Sequence, residues 1–243
     1  VGFALTYKPF GVHGLLIEWP QRIDESILHD ILRFKTKIKS HYASKLLSIN
    51  HAYASILMVF VEENFDFHLE QRELETLYEI LDDNKQESRL LWKIPVCYDP
   101  RFGIDLEVLA KEKNLDVAQI IQRHSQPLYT VYFIGFLPGF IYLGGLDERL
   151  FTPRKDTPRL KVQKGSVAIG GTQTGVYPSE SPGGWQIIGN SPINFFNIEE
   201  PHPCFAKAGD ALKFHPVSIK TYNDIKTLVE AGVYQIESEV VDD

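Results

Sequence analysis

Residues Thr172 to Gly189 read TQTGVYPSESPGGWQIIG, a run in which turn-forming Gly, Pro and Ser alternate with a Tyr, a Trp and amide side chains. Small polar residues suffice for turns, so these aromatic and amide groups either pack on something or hold something. His124 ends a stretch of helical periodicity just before an apolar strand. There the negative end of a helix favours a bound proton, which makes His124 a candidate general acid or base, or else a charge partner of the helix. His202 and Cys204 form an H-x-C pair in PHPCF, with His215 further on, but no fourth ligand is evident and no metal site is expected. His13, His29, His41, His51 and His68 are scattered and read as ordinary surface or core residues.

Several chemistries lack their signatures. No G-x-x-x-x-G-K-[ST] loop and no G-x-G-x-x-G after a strand occurs, so any use of ATP needs a different site or a partner that supplies one. The nucleophile elbow G-x-S-x-G is missing, and Ser166 and Ser181 have no neighbouring base, which argues against a serine hydrolase.

The elements that must position these residues are legible in periodicity. Of 243 residues, 44% are hydrophobic, enough to form one large domain or two small ones. Lys and Arg total 25 against 32 Asp and Glu; the net charge of −7 gives no attraction for nucleic acid or anionic lipid. With no membrane-spanning apolar run and no signal-peptide pattern in VGFALTYKPFG, a cytosolic (cytoplasmic) protein is expected. Cys97 and Cys204, far apart and outside any C-x-x-C, read as reduced thiols.

Leu15 to Trp19, Ala52 to Val61 and Ser88 to Val96 are strand-like. Between them lie two helical stretches, one capped by Asp24 and carrying Ile27, Leu28, Ile31, Leu32 and Ile38, the other Leu69 to Asp83 with Leu74, Leu77, Tyr78 and Leu81 on one face. This β-α-β-α-β order predicts an α+β or α/β sandwich with helices over a sheet. Near residue 93 the texture changes: two short helices open at Asp105 and Asp116, followed by the strand Leu128 to Phe136. Short apolar runs (SVAIGG, GWQIIG, INFFNI, ALKFHP) then recur between Gly and Pro, as in an all-β barrel or sandwich, and DIKTLVEAG adds a short last helix.

The stretch Gly135 to Gly189 carries GF-x-PGF-x-YLGGLD (Gly135 to Asp147), TPR-x-x-TPR (Thr152 to Arg159), GSVAI (Gly165 to Ile169), QTG-x-YP (Gln173 to Pro178) and SPGGW-x-x-IG (Ser181 to Gly189). In these motifs the chain resembles the KipI family, also called allophanate hydrolase subunit 1 or the PxpB-like B subunit of 5-oxoprolinase. The resemblance implies an α+β fold: a small N-terminal α/β sandwich domain (1–92) followed by a cyclophilin-like β-barrel domain (93–243). It implies a component of an ATP-dependent 5-oxoprolinase that opens 5-oxoproline to glutamate with a KipA-like (allophanate hydrolase subunit 2) and a LamB/YcsF-like partner. The alternatives are a module inhibiting a sensor histidine kinase and a carboxyltransferase-type subunit acting on a urea-derived amide. ATP is expected to serve the complex, with neither metal nor biotin attachment in this chain.

A lactam carrying a carboxylate needs a cation for the carboxylate, donors for the activated oxygen and exclusion of water. On that implied substrate, His124, Arg154 and Gln173 are the catalytic candidates. Arg154 and Arg159 are expected to bind an oxyanion, Gln173 and Thr174 to bond the lactam amide, and Tyr142 or Tyr177 to cover the ring. Gly135, Pro138, Gly139, Gly183, Gly184 and Trp185 are read as motif residues that shape loops and anchor the core or an interface.

Overall fold

Alternation of large apolar with smaller or polar residues in GLLIE and SILMVF buries Leu15, Ile17, Ile56, Met58 and Phe60 on one side of a sheet. In the computed structural model, which describes residues 2–61, 65–80 and 88–241, the chain divides into two compact units, Val1–Glu87 and Ser88–Asp243. The first contains β1 (Thr6–Phe10), β2 (Gly14–Glu18), α1 (Glu25–His41), β3 (Leu46–Ala52), β4 (Ser55–Phe60) and α2 (Phe67–Glu79). Its sheet is antiparallel in the order β1-β2-β4-β3. Asp24 caps α1 by accepting from the Ser26 N–H, and Ile27, Ile31, Phe34 and Ile38 recur on the face that packs with Leu74 and Leu77 of α2. The expected β-α-β-α-β order is therefore corrected to β-β-α-β-β-α in this unit. Leu81 and Asp83, assigned by periodicity to the second helix, lie outside the described residues.

The strand read at Ser88 to Val96 belongs wholly to the second unit as β5 (Arg89–Val96). After it come α3 (Leu106–Lys113), α4 (Val117–Ser125), β6 (Tyr129–Ile134), β7 (Ile141–Gly144), β8 (Arg159–Val162), β9 (Ser166–Gly170), β10 (Gln173–Val176), β11 (Ser181–Gly183), β12 (Gln186–Asn190), β13 (Ala211–Pro216), α5 (Ile219–Glu230) and β14 (Ser238–Val241). Eight of these strands form one mixed sheet, β12-β9-β10-β7-β6-β13-β5-β14, and β11 pairs with β8. The ladder stays open: the end of β5 meets β12 through one isolated bridge, Cys97 to Asn190, with N···O distances of 2.9 and 3.0 Å. INFFNI forms no strand; Ile193 and Phe195 are buried from a loop. Among the described residues no helix is long and apolar enough to cross a membrane.

The central strands β9 and β10 are covered on both faces. Val167, Ile169 and Val176 join the main core with Val96, Tyr129, Val131, Leu143 and Phe214. Ala168 lies in a second cluster with Phe140, Tyr177, Trp185 and Ile187. Such double burial explains why SVAIGG reads as a continuous apolar run without alternation.

Candidate functional site

The alternation of side chains along β10 separates residues adjacent in the motif. Thr174 pairs in register with Ile169 and Leu143 and points into the main core, whereas Gln173, opposite Gly170, shares the other face with Tyr142 and Gly175. On this second face Trp185 lies flat over Gly170: a Cβ placed there would sit 2.5–2.6 Å from three indole atoms. Tyr142 and Phe140 approach Trp185 with ring centroids 6.2 and 5.5 Å away, edge to face, and Phe133 stacks on Tyr142 at 4.3 Å. The Arg154 guanidinium lies over the indole, 5.6 Å from its centroid. Its segment is fixed by a bridge between Thr152 and Gly171 at the β9–β10 turn. Arg154 is exposed and, among the described residues, has no carboxylate partner. Gln173 is half-buried, and its buried Oε1 has no hydrogen-bond partner among the described residues.

Arg154, Gln173, Tyr142 and Trp185 are thus brought to one face. Gly135, Pro138 and Gly139 form the neighbouring β6–β7 loop, where Gly139 has φ of +83° and Phe136, 64% exposed, holds φ of +64°. Gly139 packs so tightly that a Cβ would lie 2.8 Å from the Phe195 carbonyl oxygen. Gly183 admits no side chain either, since a Cβ would lie 2.3 Å from the Tyr177 hydroxyl. Gly135 and Gly184 differ: neither has positive φ, and a Cβ would meet its nearest neighbours at ordinary contact distance.

Four other candidates are closed to a ligand, Tyr177 and Arg159 beside Trp185 and the other two in the main core. Tyr177 is 2% exposed and buried against Phe140, so its ring presents no free face. Arg159, expected to hold an oxyanion, is committed to Asp105, with Nη2 2.6 Å from Oδ1; Lys155 Nζ reaches the same oxygen at 3.2 Å. By sequence Asp105 is only an acid opening a helix. Its side chain makes no capping bond to α3 and instead accepts from the Ile187 N–H at 2.7 Å while tying down both cations. No sequence signal marks this partnership across 54 residues.

Thr174 and His124 form a buried chain of bonds in the main core. Thr174 Oγ1 donates to the Ala168 carbonyl at 3.0 Å and lies 2.8 Å from His124 Nε2. With that hydroxyl proton committed, the imidazole donates from Nε2 and accepts at Nδ1 from the Tyr98 hydroxyl, 2.7 Å away. Phe214 stacks on the ring at 4.5 Å. The expected rise in proton affinity is reversed: desolvation lowers the His124 pKa to about 3, outweighing the helix C-terminus. A neutral imidazole with both nitrogens bonded to protein and no exposed surface holds α4 to β10; it does not face Arg154 and Gln173.

His202 and His215 are exposed and Cys204 is half-buried; among the described residues no group of three or more His, Cys, Asp or Glu is placed to hold a metal. Replacing Gly170 by Ala tests the aromatic face. The new methyl must displace the indole, and we expect a loss of about 1–3 kcal/mol, measured by urea unfolding together with quenched or shifted Trp fluorescence. Wild-type stability and spectrum would show that Trp185 does not rest there.

Comparison with known proteins agrees with this architecture. A stretch of 152 residues, 63% of the chain, is 45% identical to the 5-oxoprolinase B subunit of Bacillus subtilis (strain 168) and spans 63% of that protein. A stretch of 158 residues, 65% of the chain, is 47% identical to the protein of the same name from Haemophilus influenzae and spans 74% of it. The crystal structure of the K. lactis urea amidolyase superposes on 98% of this chain with a TM-score of 0.84 at 19% identity, covering 16% of that larger protein; this likeness is one of fold. Residues 5–206 match the model of the carboxyltransferase domain, subdomain C and D, and the chain belongs to that family.

Proposed function

We propose that the chain is the B-type component of an ATP-dependent 5-oxoprolinase, acting with KipA-like and LamB/YcsF-like subunits to open 5-oxoproline to glutamate. The observation that carries this reading is the identity of 45–48%, over 54–65% of the chain, to proteins named as B subunits of 5-oxoprolinase. The aromatic face suits the chemistry. An exposed guanidinium held on Trp185 matches a small carboxylate, and the half-buried Tyr142 ring matches the flat side of a five-membered lactam. Binding there orients the ring and excludes water from one side of it.

The same face does not fit a nucleoside triphosphate. Arg159 and Lys155 are neutralised in part by Asp105, Arg101 is held by Asp99, and Lys161 pairs with Glu180, so that among these described cations only Arg154 is left for an anion. We therefore assign ATP to another subunit and route no step of its chemistry through this chain.

Reconstitution tests the proposal. Glutamate formation from 5-oxoproline and ATP should require this chain together with its partner subunits, and Arg154→Ala should lower turnover by about 10- to 100-fold, the loss expected for one charge-assisted contact, with unchanged thermal stability. Undiminished activity without the chain overturns the assignment. Activity on urea in place of 5-oxoproline would move the substrate to a urea-derived amide.

A further inference from the structure

A buried acceptor without a donor costs about 1–3 kcal/mol, so such groups are rare unless something supplies the missing bond. Gln173 presents one. Its Oε1 is buried and unpartnered among the described residues, and the residue stands beside Gly170, which packs against the Trp185 indole. Directly opposed residues in an antiparallel pair have Cβ atoms about 5 Å apart, so the Gln173 side chain rises next to the indole that carries Arg154. Tyr142, one residue from the pairing Leu143↔Thr174, emerges on the same face of the neighbouring strand. A cation without a carboxylate, an acceptor without a donor and an aromatic wall therefore lie together. The complementary ligand is a small ring bearing a carboxylate and an N–H.

We propose that Gln173 is the specificity-determining residue of this face: its amide oxygen accepts the ring N–H of a lactam carboxylate and thereby rejects the corresponding lactone, which has an oxygen in that position. This rests on the proposed function for the identity of the ring, and adds which atom of the ring is read and by which residue. Rejection follows from pairing an acceptor with an acceptor. The lactone would leave Oε1 unpaired and bring a second electron-rich oxygen against it.

The backbone on either side of Gln173 is held in place. Thr174, the next residue, is clamped between His124 and the Ala168 carbonyl on the opposite face, and the bridge from Thr152 to Gly171 fixes the preceding turn.

The experiment measures binding of 5-oxoproline and of its oxygen analogue, the γ-lactone of 2-hydroxyglutarate, to the full chain assembled with its partner subunits, by calorimetry or ligand-observed NMR. On the wild-type protein the lactam is expected to bind about 10- to 100-fold more tightly than the lactone. In Gln173→Met, which keeps the length of the side chain and removes its polar end, the two ligands are expected to bind within about 3-fold of each other, the lactam having lost affinity. Equal binding of lactam and lactone by the wild-type protein overturns the role of Gln173 while leaving the proposed function standing. Discrimination retained by a folded Gln173→Met does the same. Failure of both ligands to bind the wild-type assembly overturns the proposed function and this inference together. The wild-type comparison needs no substitution, so the inference stays falsifiable even if Gln173→Met does not fold.

Discussion

Acidification from pH 7 to pH 4 is expected to remove about 3 kcal/mol of stability through His124 alone. Burial lowers the pKa of this imidazole from about 6.5 to about 3, so the unfolded chain takes up a proton that the folded chain refuses. Stability from this group is complete above pH 6.5, declines as the pH falls below it, and is exhausted once the pH passes the folded value near 3. The neutral form also suits the bonding, with Nε2–H directed at a threonine hydroxyl already committed to a carbonyl and the bare Nδ1 accepting from the Tyr98 hydroxyl. Urea unfolding at pH 7, 5.5 and 4 reads the effect. Carboxylates titrate over the same range, so the comparison is with His124→Gln, which can still donate to Thr174 but takes up no proton. The variant should be less stable at pH 7 and show a pH dependence smaller by about 3 kcal/mol. Parallel pH profiles for the two proteins would show that the imidazole is not held neutral by its burial.

The second large effect is expected at Asp105. Its side chain, 6% exposed, binds Arg159, Lys155 and the Ile187 N–H, and the side chains of both cations are themselves only 25% and 28% exposed. Asp105→Ala leaves two cations facing each other and a buried amide unpaired. Removing one partner of a buried pair costs about 3–5 kcal/mol, and we expect a loss in that range by urea or thermal unfolding. Asp105→Asn should lose less, since one carbonyl oxygen remains for the Ile187 N–H. A stability of Asp105→Ala within about 1 kcal/mol of wild type would show that solvent satisfies these groups. Lys155 and Arg159 lie in the segment that leads on from Arg154, so Asp105→Ala should also blunt the contribution of Arg154 to turnover.

What the sequence reveals follows from which forces are local. Helix starts are legible because a cap is a contact between near neighbours: Asp24 caps α1, and Asp116 forms a reciprocal capping box with Gln119. The strands with strong apolar runs are legible too. β1 and β3 escape such a reading because they are the two edges of their sheet, where TYKPF and LLSINHA bury little and lack a continuous apolar pattern. His124 shows the limit most clearly. Its helix end is local and predicts a raised pKa; its burial is contributed by Tyr98, Tyr129, Thr174 and Phe214, which only the folded chain assembles. The division between Gln173 and Thr174, by contrast, follows from the strand alone. Successive residues of a strand face opposite ways, so the two side chains could not serve one ligand.

The bridge between Cys97 and Asn190 leaves the large sheet with a seam. Ladders resist separation cooperatively, each rung holding the next in register, but here a single rung joins β12 to the end of β5. Asn190 is held on both sides of it, its Nδ2 donating to the Lys164 carbonyl just before β9 and its Oδ1 accepting from the Tyr222 hydroxyl of α5 across the seam. Parting the seam therefore breaks a handful of bonds, those at Asn190 and the pair between Asp105 and Ile187, whereas parting β9 from β10 dismantles a full ladder. The sheet is accordingly far stronger along its length than across its closure, where resistance to opening rests on two points, Asn190 and the Asp105–Ile187 pair.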